Sequence, residues 1–127
     1  MDKYKEAGRI AQVVLQGLIE KCKAGADIQE LCKWGNSRIM EETEKFSPKK
    51  KIFKGIALPV CISPGSICGY YSPLAEESRK LQEGDVAKIE LGVNIDGYPA
   101  LLAHTIIVGK SDDQKKHDLL SSCYQAL

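Results

Sequence analysis

The sequence predicts an α+β fold in which helices come first and an antiparallel sheet follows, and three observations carry that expectation. Apolar residues recur at helical spacing through residues 3–22 and again from Asp27 onward. The segment from Gly55 to Ser63 alternates apolar and small or polar residues. Two β-rich runs, Val86 to Ile95 and Tyr98 to Val108, flank Asp96-Gly97, a two-residue turn of the type that hairpins favour.

Each element can be justified in order. In the first helix Ile10, Val13, Val14, Gly17, Leu18 and Cys22 share a face, with Lys and Glu opposite, and Ala24-Gly25-Ala26 ends it. Asp27 starts the second helix, with Glu30 three residues on, the spacing of a capping box. Ile28, Leu31, Cys32, Gly35 and Ile39 form its buried stripe; Trp34 lies off the stripe and is expected to pack against a neighbouring element. The helix should fade near Lys45, ahead of Ser47-Pro48. Residues 46–54 read as a basic loop insert carrying Lys49, Lys50, Lys51 and Lys54. In the first strand, Ile56, Leu58, Val60 and Ile62 alternate, and Pro59 argues for an edge position or a bulge. Pro64-Gly65-Ser66 is a turn, residues 67–73 read as a second short extended piece, and 74–81 as a helical turn. After the hairpin, a third helix starts at Asp112-Asp113, with Leu119, Leu120, Cys123 and Tyr124 on its apolar side. No Gly, Asn or Pro stop signal precedes Leu127, so a chain truncated within a helix is expected.

Size and composition narrow the function. A chain of 127 residues suggests one domain, and that length can bury a core without staples. The net charge of +1 argues against a globally basic or acidic binder, so any charge-driven function must be local. The five cysteines, at 22, 32, 61, 68 and 123, match no zinc spacing. The charged opening Asp2, Lys3, Lys5 and Glu6 does not read as a secretory leader. The expectation is therefore reduced thiols, mostly small core residues, in the cytoplasm or also the nucleus. No apolar run reaches the roughly 18–20 residues of a membrane helix, so no membrane partner is expected.

Several segments carry a specific resemblance. "IMEET" at 39–43, "KGIALPVCIS" at 54–63, "YSPL" at 71–74 and "EGDVAKIELGVNIDGY" at 83–98 resemble type 2 methionine aminopeptidases. They are closer still, with "AHT" at 103–105, to the non-catalytic relatives of those enzymes, the proliferation-associated proteins. The resemblance covers residues 4–109. It implies the first half of a "pita-bread" fold, an antiparallel sheet with helices packed on one face. In the catalytic relatives, the first hairpin strand carries a metal-binding aspartate and the returning strand a second one eleven positions later. Those positions here are Glu90 and Leu101. A leucine offers no lone pair to a cation, and the longer stem of Glu90 would displace its carboxylate. A substrate-contacting histidine just before "Y-[ST]-P" is replaced by Tyr70, which cannot act as a neutral imidazole. A dinuclear hydrolase needs several hard ligands to fix two metals and activate a water, and one glutamate does not meet that need.

The remaining candidates each have a plain alternative. Glu90 could equally be a paired strand residue. His104, set in an apolar strand, suits a hydrogen-bonded structural role, and His117 a solvated one. Asp85, Asp96 and Asp112-Asp113 fit turns and a helix start. Cys61 and Cys68 could approach each other if 60–68 folds tightly. Lys49, Lys50, Lys51 and Lys54 place four cations within six residues, a pattern that can grip phosphates or simply be a solvated connector. The resemblance favours the first, because the proliferation-associated relatives bind ribosomes and RNA and carry a lysine-rich insert there. The expectation is a non-enzymatic binding protein without cofactor or small-molecule substrate, with ribosome, RNA or protein partners. A homodimer or a missing C-terminal half would cover its sheet. The alternatives are a metal-dependent methionine aminopeptidase with degenerate ligands and a truncated product without separate function.

Overall fold

The computed structural model describes residues 2–46 and 51–127. The chain runs α1 (Asp2–Lys21), α2 (Ile28–Lys45), β1 (Lys54–Pro64), a 3₁₀ turn (Ala75–Glu77), β2 (Val86–Ile95), β3 (Tyr98–Ile107) and α3 (Gln114–Ala126). The three strands form one antiparallel sheet in the order β1-β2-β3. Helix α1 lies over β2 and β3, and α2 over β1.

Strand periodicity sorts the two sheet faces. Ala87, Ile89, Leu91, Val93 and Ile95 of β2 are all fully buried, so they face the helices. They meet Ala7, Ile10, Val14 and Leu18 of α1 and Ile28 and Ile39 of α2 in one core, joined by Val60 and Ile62 of β1. Burying each Val, Leu or Ile side chain of this core is favourable by about 1.5–3 kcal/mol over leaving it in water. Glu90 and Gly92 alternate with them and point to the other face.

The expected stripes are the observed ones, and Trp34 finds its neighbour. A Cβ on Gly17 of α1 would collide with the Trp34 ring, so a glycine there lets the indole approach the helix closely. Lys21 places its ammonium 5.0 Å above the same ring. Asp27 caps α2 by accepting from the Glu30 backbone N–H at 3.1 Å, and it also accepts from the Ser78 hydroxyl at 2.9 Å. These bonds, led by the Glu30 N–H, hold its carboxyl below the usual range.

β1 is an edge strand and is also bulged, which accounts for Pro59. Its register slips between Ile56 and Leu58 and again between Leu58 and Cys61. Helix α2 meets the slip, where the Asn36 side-chain oxygen accepts the Val60 N–H at 2.9 Å. Gly35 leaves the room, since a Cβ there would stand 2.7 Å from Val60 Cγ2.

Two expectations need correction. Residues 67–73 do not form a strand; they cross back beneath β1 as irregular chain. Tyr71 there hands its carbonyl to Ile62 N–H at 2.9 Å and takes the Ser63 hydroxyl on its own N–H at 3.1 Å, while Tyr70 adopts φ +58. The extended run is broken at Tyr70, whose left-handed backbone turns its N–H to Glu90 and away from β1. Helix α3 exists, yet none of its residues is buried, and its apolar side meets only the rim of β3.

Candidate functional site

Glu90 sits at the centre of the open face, between Cys61 on β1 and Ala103 on β3. Its Oε2 accepts the Tyr70 backbone N–H at 3.1 Å. Gly69 makes the approach possible, because a Cβ there would come within 3.2 Å of the same oxygen. The carboxylate thus tethers the 67–73 crossing. Beside it the Cys61 thiol is pushed up, by burial first and by the Glu90 charge second.

Leu101 lies across from Gly92, which in turn faces Leu58 on β1. A Cβ on Gly92 would strike the Leu101 side chain and stand 2.8 Å from the Leu58 nitrogen. The leucines therefore close over the glycine, and apolar carbon fills the place where the resemblance to the catalytic relatives would put a second carboxylate. Tyr70 is 75% exposed and aims no imidazole at this surface. Among the described residues, no group of three or more His, Cys, Asp or Glu side chains converges as a metal site. The donors this chain offers at the two hairpin positions do not fit a metal pair.

The histidines have other work. His104 Nδ1 shares a hydrogen bond with the Tyr124 hydroxyl at 3.1 Å, linking β3 to α3. His117 Nε2 bonds to the Ser111 carbonyl at 2.8 Å within the start of α3. Cys22, Cys32 and Cys61 are buried, whereas Cys68 and Cys123 are exposed. Burial pushes the Cys22 thiol up to about 12 and the Cys32 thiol to about 11, so neither is a thiolate at neutral pH. Asp96 pairs with Lys3 at the hairpin turn, next to an edge-on Tyr4–Tyr98 pair with ring centroids 5.0 Å apart.

The basic loop divides into parts with different fates. Lys49 and Lys50 lie outside the described residues. Lys51 is exposed. Lys54, expected to join them at the surface, turns inward instead. Its ammonium donates to the Phe46 carbonyl at 3.1 Å and the Glu44 carbonyl at 3.4 Å, and its side chain is only 9% exposed. The cause is local: α2 ends with free carbonyls, and a cation at the foot of β1 is within reach of them. Lys54 is thus a clasp between the helix end and the strand start. Phe53, which no motif in the sequence singles out, stands 77% exposed between Lys51 and Lys54.

Comparison with known proteins agrees with the fold. The chain is 40% identical over its whole length to "Proliferation-associated protein A" of Dictyostelium discoideum, covering 34% of that protein. It is 35% identical over its whole length to a methionine aminopeptidase of Pyrococcus abyssi, covering 38% of it. The structure superimposes on a thermophilic Arx1 with a TM-score of 0.81 at 34% identity, over 88% of this chain and 31% of that one. The chain therefore spans about a third of the length of each of these relatives. The sequence pattern described as "Metallopeptidase family M24" matches residues 2–127, and the chain belongs to that family.

Proposed function

We propose that this chain is a non-catalytic member of its family that associates with RNA, as free RNA or on the ribosome, through the lysines of the loop after α2. The observation that carries the first part is the Leu58–Gly92–Leu101 closure beside a Glu90 already committed to the Tyr70 N–H. A hydrolytic metal pair needs oxygen donors at the very positions where the chain presents aliphatic carbon and a tether. The second part rests on Lys49, Lys50 and Lys51, three consecutive cations of which Lys51 is exposed, and on the resemblance to proteins with a lysine-rich insert at this place. Lys54 is left out of the binding set because its ammonium is occupied.

Two measurements test the pair of statements. After incubation with manganese or cobalt and gel filtration, elemental analysis is expected to find well below one metal per chain, and Met-leading peptides are expected to remain uncleaved. Stoichiometric metal with turnover abolished by Glu90→Ala would instead establish a peptidase. RNA binding is expected to weaken steeply with salt. Replacing Lys49, Lys50 and Lys51 together by Ala should reduce the slope of log K against log salt by about 2, from roughly 0.7 per phosphate contact on a single strand. An unchanged slope removes the loop from the interface.

A further inference from the structure

We infer that the outer edge of β3 is a pairing edge for a second copy of this chain, whose own β3 runs antiparallel beside it and beneath α3, joining the two sheets into one. The inference is independent of the RNA-binding reading above.

The two edges of the sheet are built differently. Along β1 the outer side is interrupted. The strand is bulged twice, the Asn36 side-chain oxygen takes the Val60 N–H, and the Tyr71 carbonyl takes the Ile62 N–H. Such features stop an edge from recruiting another strand. β3 is not protected in this way. It pairs with β2 through ten consecutive rungs without a register shift, and Tyr98–Ile107 carries no Asp, Glu, Lys or Arg. Pro99 stands at one end only. Among the described residues, β3 has a partner strand on one side alone. The two-residue turn makes Ile95–Tyr98 the first pair to exchange both backbone bonds. Alternate residues, Leu101, Ala103, Thr105 and Ile107, therefore turn their N–H and C=O groups outward.

Helix α3 shows where the next strand belongs. His104 lies opposite the buried Ile89 and so shares the helix-backed face, and its bond to Tyr124 puts α3 on that side of the sheet. Yet no residue of α3 is buried. Leu120, Tyr124 and Leu127 face Ala103, His104 and Thr105 across a cavity of about 200 Å³. The helix thus overhangs the edge of β3 with a gap beneath its apolar side. A strand added to β3 would pass under that side.

A second copy fits the gap. Under a two-fold axis normal to the sheet, its β3 presents Leu102 and Ile106 to this copy's α3, and those residues are only partly buried in one chain. The exchange is reciprocal, since each copy gives one strand and covers one helix. It brings no like charges together, because neither strand carries any. It also closes at two, because the edges left at the ends of the joined sheet are the interrupted β1 edges. A charged peptide would find no counter-charge along this strand.

The test is the mass of the full chain by light scattering after gel filtration, over a wide range of protein concentration. Reducing agent is included because Cys68 and Cys123 are exposed. A dimer that dissociates on dilution is expected. In the dimer the Leu101, Ala103 and Thr105 amides should exchange hydrogen slowly, and in the monomer quickly. Ala103→Pro removes one outward N–H without taking a bond from β2, and should raise the dissociation constant about tenfold or more. Leu120→Glu combined with Leu127→Glu leaves every strand intact and should also weaken the dimer, so the result does not hang on how well the proline variant folds. A monomer at every concentration overturns the inference. If its edge amides exchange freely the edge takes no copy, and if they are protected a segment of the same chain covers it. A dimer whose edge amides exchange freely, and which both variants leave unchanged, uses another surface and overturns the inference too. Species that grow beyond two refute the two-fold pairing.

Discussion

The two faces of the sheet follow opposite rules. On the helix-backed face Ile89, Leu91, Val93 and Ile95 are fully buried against two helices. On the open face Leu101 is 64% exposed, and Glu90 and Gly92 carry a tether and a close approach. The buried face is specified by volume, so any residue of the wrong size or charge is costly. The open face is specified by chemistry, and there a single side chain changes what can be bound without changing what folds. Side chains on the open face can therefore change while the other face keeps the architecture.

Substitutions can break or sharpen that contrast. The largest effect is expected from Leu91→Asp, which buries an unpaired charge between sheet and helices; a loss of about 4 kcal/mol or more should abolish the cooperative urea transition. Gly17→Val drives a side chain into the Trp34 ring and should cost about 1–3 kcal/mol by the same measurement. Leu101→Asp, on the open face, should shift stability by no more than about 0.5 kcal/mol. If Leu101→Asp proves as damaging as Leu91→Asp, the two faces are not separate.

The α2 cap offers a pH test. The Asp27 carboxyl titrates below its ordinary value of 3.8 in the folded chain. Its contribution is therefore fully present above the unfolded value and is lost as pH falls through the lower, folded one. Asp27→Ala should narrow the gap between neutral and acidic stability, with the parent and the variant converging at the acid end. Parallel pH profiles for the two proteins would show that the Glu30 and Ser78 bonds do not favour the ionised form.

Much of this was legible in the residues because it rests on local pattern. The helical stripes, the Asp27 cap, the Asp96-Gly97 hairpin and the bulge at Pro59 each have a short-range signature, and the α+β pita-bread architecture follows from their order. That Glu90 and Leu101 stand on the two strands of one hairpin was also legible from the Asp96-Gly97 turn, whereas their correspondence to metal-binding positions is what the resemblance implies. What escaped depends on long-range partners. Nothing in Tyr70 announces a left-handed backbone that feeds its N–H to a strand residue twenty positions on. Nothing in Lys54 distinguishes it from Lys51 until the end of α2 is placed beside it. Helix α3 has a recognisable start at Asp113, but no local pattern tells how little of it is buried.

The Lys54 clasp has a consequence for engineering. Because Glu44 and Phe46 on one side and Lys54 on the other are joined directly, the start of β1 is fastened to the end of α2 by a side chain as well as by the residues that link them in sequence. Lengthening the link ahead of Lys51 should cost only the slow logarithmic growth of loop-closure entropy, about 0.6 kcal/mol per doubling. A tag or reporter peptide inserted between Lys49 and Lys50 should therefore shift the melting temperature little, whereas the same insertion after Lys54 would part the fastening.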